Sequence, residues 1–188
     1  MKETEITVEL FEDIKFIDKK LKEQGFAVIE KFQLNDWYYS KRDDVLKLTY
    51  SQLIDSSFLV REIVTNHTKY ELCFKKKEYD KLGNVIAEEK VKTEISDLDS
   101  CLKIFKLVGL NNYCIVENSS TVYKKGNIEF AIQNINGLGV FLELEEDTSM
   151  SAMSSDEKFA YLADIVKGLG LKIGNDFSCK KVFMMLHK

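Results

Sequence analysis

Alternation with a period of two governs this chain. In Glu3-Thr4-Glu5-Ile6-Thr7-Val8-Glu9-Leu10 the odd positions are polar and the even ones mostly apolar. That is the pattern of a strand with one buried and one hydrated face. Residues 11–24 switch to helical spacing, with Phe11, Ile14, Ile17 and Leu21 on one stripe, and Gly25 closes the helix. Extended runs follow at about 26–39, 44–50, 57–65, 69–77 and 85–95. A helix at about 97–107 opens on the capping pair Ser96-Asp97. Three more strands, at about 112–123, 126–135 and 139–145, are parted by Lys125-Gly126-Asn127 and Asn136-Gly137-Leu138-Gly139. Serines from Ser149 to Ser155 read as a loop and cap before a helix at 156–168, and Ser178 as the cap of a last helix. Eight or nine strands joined by hairpin-length turns predict an α+β domain: an antiparallel eight-stranded β-barrel, which removes exposed sheet edges, with flanking helices on its apolar outer face.

Composition sets the limits. At 188 residues with 45% hydrophobic content, residues 1–188 suit one domain with one sizeable core. A net charge of −4, from 31 acids against 27 bases, gives no reason to expect attraction to nucleic acid or membrane, so any anion site must be local. The N-terminus carries no apolar leader and no segment approaches the length of a membrane span, which predicts a cytoplasmic protein. Cys73, Cys101, Cys114 and Cys179 lie far apart without Cys-x-x-Cys spacing, as reduced thiols would. His67 and His187 stand apart from any triad or zinc pattern, and the chain has no P-loop.

Chemistry concentrates in two Glu-x-Glu pairs. Glu3 and Glu5 sit two apart on the first strand, and Glu143 and Glu145 repeat the spacing on a late one, so each pair projects from one strand face. Either pair alone suits the solvated face of an edge strand. Facing one cavity together, they would hold Mg²⁺ or Mn²⁺ through oxygen ligands.

From Glu3-Thr4-Glu5-Ile6-Thr7 through Asp36-Trp37-Tyr38-Tyr39 to Gly137-Leu138-Gly139-Val140-Phe141-Leu142-Glu143-Leu144-Glu145, the order of segments resembles the CYTH superfamily, the triphosphate-binding fold of class IV adenylate cyclases and thiamine triphosphatases. Glu3-Thr4-Glu5-Ile6-Thr7 resembles its opening ExExK strand, and Asp36-Trp37-Tyr38-Tyr39 its DxYF-like segment. Leu46-Lys47-Leu48-Thr49 is similar to its LRIR strand, and Leu72-Cys73-Phe74-Lys75 to its LTYK strand. Gly137-Leu138-Gly139-Val140-Phe141-Leu142-Glu143-Leu144-Glu145 matches GLGxFLExE closely, and the likeness spans roughly residues 3 to 183. It implies a tunnel in which Glu3, Glu5, Glu143 and Glu145 hold Mg²⁺ or Mn²⁺. Lys47, Arg61 and Lys75 would grip a triphosphate-containing small molecule, and Tyr38 would orient it for catalysis. A homodimer is compatible with the resemblance.

Several tunnel positions depart from the family. Thr7, Thr49, Asn118 and Ser120 stand where it carries bases, Gln133 where it carries an aspartate, and Glu88, Lys90, Lys92 and Glu94 partly reverse the charges of an acidic strand. Four carboxylates would then face only Lys47 and Lys75 as assigned lysines. Two functions follow as expectations. One is a metal-dependent triphosphatase or cyclase acting on a triphosphorylated compound through a partly degenerate tunnel. The other is a non-catalytic module that binds a nucleotide, polyphosphate or other anion, or serves as a scaffold.

Overall fold

The computed structural model describes the backbone of residues 2–79 and 85–188, and the side chains of residues 4–76 and 89–188. Its strands are β1 (Lys2–Glu3), β2 (Glu5–Leu10), β3 (Ala27–Ser40), β4 (Ser57–Val64), β5 (Thr68–Tyr79), β6 (Val85–Glu94), β7 (Asn111–Lys125), β8 (Ile128–Ile135) and β9 (Gly139–Glu145). They form one sheet in the order β1-β6-β5-β4-β3-β7-β8-β9-β2, with neighbours antiparallel. The outermost members, β1 and β2, are successive pieces of one N-terminal strand parted at Thr4. The sheet therefore curls until both its edges reach the same stretch of chain. With those pieces counted as one, the eight antiparallel strands expected from the sequence are present, curled into a tunnel.

The ring of hydrogen bonds is not continuous, because β1 pairs with β6 and β2 with β9. At the break, the Thr4 N–H donates to Glu146 Oε2 at 2.9 Å, and the Glu146 N–H donates to the Thr4 carbonyl at 2.9 Å. The other edge of β2 is covered by residues 172–179. Thr7 donates to the Phe177 carbonyl, Cys179 to the Thr7 carbonyl and Gly174 to the Glu9 carbonyl. An edge that would otherwise invite pairing with another chain is thereby occupied.

The helices follow from the alternation. Ile6, Val8 and Leu10 of β2 and Leu142 and Leu144 of β9 point outward and are buried with Ile17 and Leu21 of α1 (Ile14–Glu23) and Leu162 and Val166 of α4 (Ser155–Gly168). α3 (Leu98–Leu107) covers the outer face of β3 and β4 through Phe105, near Val60 and Trp37. A third cluster plugs one end of the tunnel. Phe141, Cys114, Val116 and Ile135 from strands meet Leu53 and Ile54 of α2 (Tyr50–Asp55) and Val182 of α5 (Lys181–Leu186). The turn into β9 needs Gly137 and Gly139, whose φ values of 79° and 130° are strained for any other residue.

Two expectations are corrected. Residues 44–50 form no strand: Val45–Lys47 is a 3₁₀ turn, and α2 follows it. The alternation there spans only Leu46 to Tyr50, one short strand's length. The local signal that wins is a capping box, in which the Gln52 N–H donates to the Thr49 hydroxyl and the Thr49 N–H donates to the Gln52 side chain. The last helix starts at Lys181 with no side-chain cap. Ser178 instead belongs to the bridge against Thr7. The four cysteines are free, and no helix among the described residues is long and apolar enough to cross a membrane.

Candidate functional site

Among the described residues, the inward faces of β2 to β9, with Ile54 of α2 and Lys181 and Val182 of α5, line a cavity of about 110 Å³ inside the tunnel. On β2, burying Ile6 and Val8 outward turns Glu5 and Thr7 inward. On β9, burying Leu142 and Leu144 turns Phe141, Glu143 and Glu145 inward. The register sets Glu5 opposite Glu145 and Thr7 opposite Glu143. Carboxylate oxygens of Glu5, Glu143 and Glu145 lie within 4.8 Å of one another, close enough to repel strongly unless cations intervene.

Lysines supply those cations. Lys90 Nζ donates to Glu5 Oε2 at 3.2 Å and to Glu145 Oε1 at 2.9 Å. Lys181, the first residue of α5, donates to Glu143 Oε2 and, at 2.7 Å, to Gln133 Oε1. Burial pushes the Glu143 carboxyl upward and nearby Glu5 pushes it the same way, but Lys181 outweighs both and holds it below the usual carboxylate range. The charge therefore persists inside the cavity.

Across the tunnel, Asp36 on β3 faces Arg61 on β4. Arg61 Nε and Nη2 each donate to Asp36 at 2.7 Å in a two-pronged pair, with Asp36 only 5% exposed. Burial disfavours the charged guanidinium, yet the Asp36 carboxylate prevails and raises the Arg61 pKa well above normal. Lys75 on β5 stands opposite Lys90 on β6, and Cys73 opposite Lys92. Tyr38 lines the cavity beside Asp36, and burial foremost, then the Asp36 charge, raises its phenol well above the ordinary value. Its hydroxyl therefore keeps its proton and is unsuited to act as a base.

Of the residues singled out in the sequence, Glu5, Glu143, Glu145, Arg61, Lys75 and Tyr38 line this one cavity. Lys47 lies outside it, exposed in the 3₁₀ turn. Glu3 pairs in β1 opposite Glu88, and its side chain lies outside the described residues. Thr49 caps α2, whereas Thr7, Asn118 and Gln133 do line the cavity. Ser120 is buried and donates to Asn118 Oδ1 at 2.7 Å.

Sequence reasoning overlooked Asp36, Lys90, Lys92 and Lys181 as site residues. Lys90 and Lys92 were within reach, since two-residue spacing puts them on one face of β6. With Arg61, Lys75 and Lys181 they make five bases (Arg61, Lys75, Lys90, Lys92, Lys181) beside four acids (Glu5, Asp36, Glu143, Glu145) among the described residues that line the cavity. Glu3, which the sequence reading counts among the acids, lies outside that comparison.

No family model matches the chain. It is 28% identical over 175 residues, 93% of either chain, to a candidate adenylate cyclase of Methanocaldococcus jannaschii. Among solved structures, a Pyrococcus horikoshii OT3 protein superposes with a TM-score of 0.75 at 19% identity, covering 98% of each chain. A candidate adenylyl cyclase from Hippeastrum, described as having a dominant triphosphatase activity, superposes with a TM-score of 0.64 at 16% identity, covering 98% of this chain and 95% of that one. At these identities the structures share the fold.

Proposed function

From the CYTH-type tunnel fold that this chain has, we propose that it binds a triphosphorylated compound together with Mg²⁺ or Mn²⁺ and hydrolyses or cyclises it. The observation that carries this reading is the cavity itself, where three carboxylates within 4.8 Å of one another face bases on four different elements. The adenylate cyclase and triphosphatase descriptions of the similar proteins support it.

Three clustered carboxylates offer the hard oxygen donors that Mg²⁺ and Mn²⁺ prefer, so Glu5, Glu143 and Glu145 fit such an ion. Bound there, it would offset phosphoryl charge and orient the phosphates. Arg61, already aligned by Asp36, and Lys75, Lys90, Lys92 and Lys181 attract phosphoryl oxygens and match the charge that grows on them. Tyr38 donates a hydrogen bond to a phosphate or leaving-group oxygen. The apolar cluster around Phe141 and Val182 borders the cavity and would keep water from that side of the site. The four free thiols suit a reducing cytoplasm.

The test is calorimetry with inorganic tripolyphosphate, ATP and thiamine triphosphate, with Mg²⁺, Mn²⁺ or chelator, alongside assays for phosphate and pyrophosphate release. Metal-dependent binding with release supports an enzyme. Binding without release supports the non-catalytic alternative, and no binding in any condition rejects the tunnel as a triphosphate site.

A further inference from the structure

Among the described residues, each of the three clustered carboxylates, Glu5, Glu143 and Glu145, is already held by a lysine. Lys90 bridges Glu5 and Glu145, the two acids directly opposed across β2 and β9, and Lys181 holds Glu143. An ion coordinated at about 2.0–2.6 Å would share those oxygens with ammonium groups about 3 Å away and repel them.

We infer that Lys90 and Lys181 are exchangeable counter-cations, which neutralise the carboxylates without an ion and turn to the phosphate chain when an ion takes their place. Ion and triphosphate then bind cooperatively, because each ion frees phosphate-binding groups. This rests on the reading of the tunnel as a metal and triphosphate site.

Both lysines have somewhere to go. Lys181 also donates to Gln133 Oε1 at 2.7 Å. That amide is neutral, so it keeps the ammonium beside the cavity without competing for its charge. Lys90 lies across from Lys75 and two residues from Lys92 on the same face of β6, so its released ammonium joins a basic strip suited to a polyanion. Permanent structural salt bridges would instead tie the carboxylates up and oppose ion binding without reward.

The two possibilities differ in sign. Mn²⁺ uptake by the full-length chain, without phosphate, is followed through the electron paramagnetic resonance of the free ion. If the lysines compete with the ion, Lys181→Met and Lys90→Met each tighten Mn²⁺ binding about tenfold or more, the order of a charge-assisted hydrogen bond. Lys181→Arg, which keeps the charge, stays near wild type. In saturating Mn²⁺ the same Met variants bind tripolyphosphate about tenfold more weakly. Circular dichroism checks folding, and Lys90→Met, on a strand, carries the test if the change at the head of α5 disrupts the chain. Wild-type uptake with unchanged or weaker uptake in the Met variants overturns the exchange alone. No uptake by wild type or either variant overturns the metal reading and the exchange with it.

Discussion

Asp36 and Arg61 meet across β3 and β4 in a pair with both guanidinium donors at 2.7 Å. Removing one partner leaves the other buried without compensation. Asp36→Ala should therefore cost about 3–5 kcal/mol of stability, read as a lowered urea midpoint. A loss under about 1 kcal/mol would mean that water reaches Arg61 freely. Glu143 and Glu145 were legible because their apolar neighbours, Leu142 and Leu144, must face the helices, which leaves the glutamates the other side, and Glu5 was legible in the same way beside Ile6. Arg61 and Lys75 came from the family resemblance, since Phe58-Leu59-Val60 is apolar on both faces and does not set the side on which Arg61 lies. Lys181 was not legible, since it reaches Glu143 from a different element, 38 residues away, and only tertiary closure brings them together. Lys47 was misassigned because the alternation from Leu46 to Tyr50 covers too few residues to distinguish a strand from a turn.

Two elements carry predictions of their own. Thr49 occupies a family base position in the sequence but caps α2 in the fold. Thr49→Ala should then cost about 1 kcal/mol in chemical denaturation and leave tripolyphosphate affinity unchanged. A clear loss of affinity would place Thr49 at the ligand after all. At the break between β1 and β2, burial pushes the Glu146 carboxyl upward, but Lys158 at 2.9 Å and the Thr4 N–H hold it below its ordinary value. A lowered native pKa means that the stabilisation is complete above the unfolded carboxylate value. It fades as pH falls through the lower native one. Glu146→Gln should accordingly flatten the fall of unfolding free energy at acid pH, and an unchanged slope would deny the clasp its charge. Most strands were legible from alternation and glycine turns. The division of the first strand at Thr4 was not, because no local preference breaks a strand there. The opposing demands of β6 and β9 do so.

The whole molecule carries a net charge of −4 while the described residues of its cavity bring five bases together with four acids, so any attraction for an anion is local. A ligand that binds only the folded chain adds about 2.7 kcal/mol at a hundredfold excess over its dissociation constant. For a chain of this size that is roughly 5–10 °C in Tm. Tripolyphosphate and Mg²⁺ together should produce this shift in differential scanning fluorimetry, and either alone much less. Equal shifts in excess chelator would separate anion binding from the carboxylates. Fold class was readable because hairpin-length turns leave an antiparallel sheet few ways to close, whereas its lining charges depend on which edges meet. That meeting also sets a schedule for biosynthesis. Glu5 pairs opposite Glu145, so β2 leaves the ribosome well ahead of β9 and waits on the order of ten seconds for its partner at ordinary translation rates. Throughout that interval Ile6, Val8 and Leu10 have no β9 to lie beside, and their apolar face stays open to non-native contacts until that strand emerges.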